Sequence, residues 1–175
     1  EFYVNDAGVQ MDRFGASIMA AANGRPVPED GYHGGYITDL AAAILADRPA
    51  ILELDPIEQQ AAFRDAGYRR QLQQQQEVLA LFRTHFDVWF SERSMIDSGA
   101  IARTLEDLRA AGAVHEHDGA VWLASSRHGD EKDRVLVRSN GDYTYLLPDV
   151  AYHRDKFARD HDLLVDVWGA DHHGY

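Results

Sequence analysis

The sequence predicts a mixed α/β fold: part of a parallel sheet, interrupted by an inserted helical and β-hairpin segment. Three patterns carry this expectation. Residues 163–168 (LLVDVW) form a short, almost continuous apolar run, as in a strand covered on both faces within a parallel sheet. Asp118-Gly119 and Asn140-Gly141 each lie between runs rich in Val, Leu, Trp and Tyr, which is a strong hairpin signal. Between the opening residues and the first hairpin, apolar positions recur mainly with helical spacing.

Residues 2–5 (FYVN) read as a short buried strand, closed by the loop Asp6-Ala7-Gly8. Over 9–22, Val9, Met11, Phe14, Ile18 and Met19 fall near the 3.6-residue period, and Asn23-Gly24 is a helix stop. Residues 25–35 are rich in proline and glycine and read as loop. A second helix is predicted over 36–46, with Ile37, Leu40, Ala41, Ile44 and Leu45 on one face. Residues 56–86 predict a long helix or a broken pair: Pro56 suits a first turn and Gly67 is the candidate break. The QLQQQQ run at 71–76 is either a disordered tract or a solvated helix face; the apolar stripe of Leu72, Val78, Leu79, Leu81 and Phe82 favours the helix. Residues 87–92 (DVWFSE) alternate like a strand, and 98–111 form a helix stopped by Gly112. Hairpins over 114–125 and 134–147 follow, then a helix over 150–159 and the closing strand.

At 175 residues the chain can bury a real core, and its 45% hydrophobic and 26% charged residues are ordinary for a globular protein. No apolar run approaches the roughly 18 residues of a membrane span. The opening EFYVNDAG has neither the basic start nor the apolar core of a signal peptide. The absence of cysteine removes disulfides, thiolate nucleophiles and cysteine–zinc sites, and fits a reducing cytosol. A net charge of −12 argues against stand-alone nucleic-acid binding, which runs on phosphate neutralisation by Lys and Arg. The chain begins inside a strand and stops directly after GADHHG, so a fragment of a longer protein is expected.

Parallel sheets place ligands beyond the carboxyl ends of their strands. Two predicted strand ends are polar: Asn5-Asp6 and Gly169-Ala170-Asp171-His172-His173. In the second, the small residues admit a ligand close to the backbone, Asp171 accepts from a ribose or an amine, and His172 and His173 donate to phosphate; the alternative is a surface turn. Asn5 and Asp6 read as substrate-side polar anchors, or as a turn in which Asp6 caps the next helix. Tyr145 and Asp149 form a third candidate, a phenol at a strand end and a carboxylate four residues on, at a helix start. A carboxylate is the natural partner of a guanidinium; the alternative is a core tyrosine and a helix cap. His115 and His117 share a strand face, but no HExxH pattern or cysteine set accompanies them, and no metal site is assigned. GxSxG, GxxxxGK[ST] and GxGxxG are absent.

The order of these pieces is more specific than any one of them. FYVNDAGVQM, YHGGYITDLA, FDVWFSERSM, the stretch at 118–157 ending in DVAYHRDKF, and VWGADHHGY together resemble the catalytic domain of arginyl-tRNA synthetases. The similarity covers nearly the whole chain and is weakest from 50 to 81. It implies a class I synthetase with a partial Rossmann-like parallel sheet at 1–49 and 143–175, and a helical and β-hairpin insertion at 50–142.

By the resemblance, Tyr145 and Asp149 match an arginine-binding Tyr-x-x-x-Asp, with Asp171 near the amino acid and ribose. Gly169, Ala170, Asp171, His172 and His173 would border ATP. The implied reaction activates arginine with ATP and Mg2+ and passes it to tRNA(Arg) in the cytoplasm; no membrane is involved. The sequence departs from the family where the phosphate chemistry lies: neither a HIGH-type nor a KMSK-type signature is present. No residue here is therefore assigned a catalytic role, and the fragment is expected to be inactive alone and prone to self-associate. A non-catalytic arginine-binding module and a protein-interaction piece are the alternatives.

Overall fold

The structure, a computed structural model, describes residues 1–167 and Gly169. It divides into two compact units, Glu1–Arg93 and Ser94–Tyr175.

In the first unit, β1 (Phe2–Val4) and β2 (Trp89–Ser91) pair in parallel, with Phe2 opposite Trp89 and Val4 opposite Ser91. Three helices occupy the crossover: α1 (Val9–Ala22), α2 (Gly35–Asp47) and α3 (Pro56–Leu81). Such a crossover is what a parallel pair requires. The helices share one core of Phe14 and Ile18 from α1, Ile37, Leu40, Ala41 and Ile44 from α2, Ile51 from the 3-10 turn Pro49–Glu53, and Phe63 from α3. Asp55 starts α3, its carboxylate accepting the N–H groups of Ile57 at 2.9 Å and Glu58 at 3.0 Å, with Pro56 in the first turn.

Gly67 does not break α3. A Cβ there would lie 2.4 Å from Ile18 Cδ1 and 3.0 Å from Phe14 Cε1, so the missing side chain is the space that lets α1 approach. The glutamine run is helical and its outer face is exposed, as the solvated-face reading expects. The apolar stripe beside it does not become core: Leu81 and Phe82 are 83% and 79% exposed.

The second unit holds α4 (Glu92–Asp97, which crosses the boundary), α5 (Ala100–Ala110), the strands β3 (Val114–His117), β4 (Ala120–Leu123) and β5 (Arg134–Val137), and α6 (Leu146–Phe157). Gly112, at φ +64°, stops α5, and the Ala113 N–H returns to the Leu108 carbonyl. Asp118 and Gly119 both take positive φ, 50° and 73°, as a two-residue turn of the I′ kind demands, and β3 and β4 pair antiparallel across it. β5 joins the other edge of β4, giving one antiparallel sheet in the order β3-β4-β5.

Two expectations need correction. The second hairpin is brief: beyond the Asn140-Gly141 turn, Tyr143 makes a single bridge to Val137, and Thr144 gives its N–H to the Leu136 carbonyl and its hydroxyl to Val135. The chain then enters α6 at Leu146, four residues before the predicted helix start. Pro148 lacks an N–H for a ladder and is tolerated in a first helical turn. The closing strand is also not formed over its described part. Residues 163–167 pair with no strand, and Leu163, Val165 and Val167 are exposed. A strand exists only through a neighbour's hydrogen bonds, which an apolar run alone does not supply.

Candidate substrate-recognition site

The site is built on α6. This helix packs against α5 and β5 and buries Leu147 and Ala151. Arg154 fastens it to α5 through Asp107, at 2.5 Å, and the Thr104 hydroxyl. Tyr145 immediately precedes the helix rather than ending a strand; it is 84% exposed, so it is not a core tyrosine. Asp149 lies in the first turn and does not cap the helix. Four-residue spacing brings phenol and carboxylate to the same side of α6.

The Asp149 carboxylate accepts no hydrogen bond among the described residues and is open to solvent at its surface. Neighbouring protein still desolvates it enough to hold its pKa above the ordinary carboxylate value, with His153 and Lys156 pulling the other way. An open carboxylate beside an exposed phenol can take a planar cation, with two parallel N–H donors meeting two oxygens.

Behind Asp149 stands a charged cluster that sequence reading did not single out. His153 Nδ1 lies 2.9 Å from the Asp149 carbonyl, and because a carbonyl only accepts, Nδ1 carries the proton. His153 Nε2 is 3.3 Å from both Asp166 Oδ2 and Lys156 Nζ. Lys156 is 8% exposed; its ammonium pairs with Asp166 and stands 4.6 Å over the Tyr152 ring. This pairing holds the Asp166 carboxyl below its ordinary pKa. The spacing Asp149, His153, Lys156 is i, i+4, i+7, one helix face, and was the available signal.

Asn5 and Asp6 lie in the other unit, at the carboxyl end of β1. Asn5 is exposed. Asp6 is 2% exposed and does not cap α1. Its carboxylate accepts from the Ser91 hydroxyl at 2.7 Å and the Arg93 backbone N–H at 2.8 Å, and its carbonyl accepts from Arg93 Nε at 3.0 Å. Burial and a hydrogen bond to Asp6 raise the Tyr68 phenol to a pKa of about 12. Arg93 continues to Asp65, at 3.2 Å. Asp6 is therefore occupied in tying together the ends of β1 and β2.

Gly169 is exposed. Ala170, Asp171, His172 and His173, expected beside the nucleotide, and Trp168 of the expected strand lie outside the described residues. Among the described residues there is no group of three or more His, Asp or Glu that could hold a metal ion. No described helix is long and apolar enough to cross a membrane.

No protein-family model matches the chain. It is 50% identical over 175 residues to an arginine–tRNA ligase of Frankia alni, with all of this chain and 32% of that protein covered. A Kineococcus radiotolerans arginine–tRNA ligase is 48% identical over the same length, again covering 32% of that protein. One from Shouchella clausii is 46% identical over 181 residues, covering 33%. The crystal structure of a putative arginyl-tRNA synthetase from Campylobacter jejuni superposes with a TM-score of 0.85 at 37% identity, covering 99% of this chain and 39% of that one. In sequence and in fold the chain is thus similar to part of the aminoacyl-tRNA synthetases. Within them it corresponds, along its whole length, to a segment of arginine–tRNA ligases, and it spans about a third of the length of the curated relatives it matches.

Proposed function

We propose that this chain supplies the arginine-recognition side of arginine–tRNA ligation, with Tyr145 and Asp149 as its centre. The carrying observation is the open, partly desolvated Asp149 carboxylate beside the exposed Tyr145, on a helix fastened to its neighbours. Asp149 holds the guanidinium by paired charge-assisted hydrogen bonds, and Tyr145 packs beside it. In the whole enzyme the arginine carboxylate attacks the α-phosphate of ATP, pyrophosphate leaves, and the arginyl group passes to a terminal ribose of tRNA(Arg). Mg2+ accompanies the ATP phosphates. Gly169, Ala170, Asp171, His172 and His173 border the nucleotide, Asp171 also faces the amino acid, and Asn5 is a substrate-side anchor at the end of β1. The setting is cytoplasmic. A Rossmann-like sheet that draws on 1–49 and 143–175 and takes in β2 from within 50–142 belongs to the same reading, as does self-association through exposed apolar side chains such as Leu163 and Val165.

Calorimetric titration of this chain with arginine, with lysine as control, tests the site. Arginine-selective binding is expected, weakened roughly tenfold to a hundredfold in Asp149→Ala, the range for losing a charge-assisted hydrogen bond. No heat at millimolar arginine, or equal binding of lysine, would defeat the reading. The sequence has no HIGH-type or KMSK-type signature to hold phosphates. ATP–pyrophosphate exchange by this chain with tRNA added is therefore expected to be at background, and clear turnover would overturn the half-site picture.

A further inference from the structure

The α6 cluster poses a problem in electrostatics. A carboxylate that receives a guanidinium must not already be neutralised by a cation of its own protein. Asp149 has one permanent cation in its field, Lys156, and one imidazole, His153, both on its own helix and on its own face. Lys156 is the stronger rival, because its charge is permanent near neutral pH and its stem is long and flexible. In the structure the ammonium is engaged elsewhere: it pairs with Asp166, stands over the Tyr152 ring, and approaches His153 Nε2. The proton on His153 Nδ1 leaves Nε2 of the neutral ring with a lone pair, which accepts from Lys156.

We propose that Asp166 is a positioning residue that sequesters Lys156 and so keeps the Asp149 carboxylate open to an arriving guanidinium. The inference rests on the arginine-recognition reading above. A buried ammonium deprived of its counter-charge must find another, because leaving it unpaired is costly. Asp149, two helical turns back on the same face and with a carboxylate that accepts no hydrogen bond among the described residues, is such an acceptor. Loss of Asp166 therefore installs an internal competitor in the substrate's place. Asp166 need never touch arginine for this to hold.

A double-mutant cycle on this chain decides the matter, read by arginine calorimetry with circular dichroism to follow α6. Asp166→Asn is expected to weaken arginine binding about tenfold or more. Adding Lys156→Met to that variant is expected to restore affinity to within about threefold of the parent chain, since the competitor is gone. In the Lys156→Met background the Asp166→Asn change should be silent, a comparison that stands even where Asp166→Asn alone folds poorly. Asp166→Glu, which keeps the charge, should keep the affinity. A double variant as weak as Asp166→Asn would reduce Asp166 to a structural tie and overturn the proposal, as would parent-like binding in Asp166→Asn. If the parent chain itself binds no arginine, the recognition reading fails and this proposal falls with it; binding by the parent with no rescue defeats this proposal alone.

Discussion

Phe63→Ala is expected to lower the stability of the Glu1–Arg93 unit by about 3–5 kcal/mol, the range for truncating a buried aromatic side chain. Phe63 is fully buried and belongs to the core shared by α1, α2 and α3. The loss has two parts: the transfer free energy of the ring, and the cavity left where neighbours cannot close in. The surroundings have little room to collapse, because Gly67, one turn further along α3, already brings Ile18 and Phe14 against the helix backbone. Urea denaturation followed by helical ellipticity measures the change. A loss below about 1 kcal/mol would show that the three helices do not share one core.

Asp6→Ala is expected to cost about 3 kcal/mol, the upper end of the range for removing a charged acceptor from buried hydrogen-bond donors. The change strips acceptors from the Ser91 hydroxyl, the Arg93 backbone N–H and the Tyr68 phenol together. Hydrogen exchange of β1 and β2 amides should quicken more than that of the helical core, because the node joins the two strand ends. Tyr68 gives a second readout. Its pKa of about 12 reflects burial first and Asp6 second, so removing Asp6 should lower it. The native phenol holds its proton more tightly than an unfolded one near pH 10. Its contribution to stability is therefore complete below about pH 10 and declines as pH rises towards 12, and that decline should be smaller in Asp6→Ala. An unchanged Tyr68 titration would show that the phenol does not feel Asp6.

What the sequence by itself determined is what depends on near neighbours along the chain. α1 follows from its apolar period and Asn23-Gly24 stop, and the β3–β4 hairpin from Asp118-Gly119, whose positive φ angles few other pairs accept. The order of segments was enough to indicate the arginyl-tRNA synthetase resemblance, and through it the Tyr145 and Asp149 pair proposed to hold a guanidinium. Tertiary structure alone decided the rest. Gly67 reads locally as a helix break, and only the approach of α1 turns it into a packing position. Asp6 reads as a cap or a ligand anchor, and its partners Tyr68, Ser91 and Arg93 are far along the chain. Residues 163–167 carry a strand's composition, but a ladder needs a second strand beside it. Lys156 and Asp166 look like two ordinary surface charges until the chain after α6 brings them together. Periodicity and turn chemistry are written within a few residues, whereas the partner of a buried charge is chosen by the path of the whole chain.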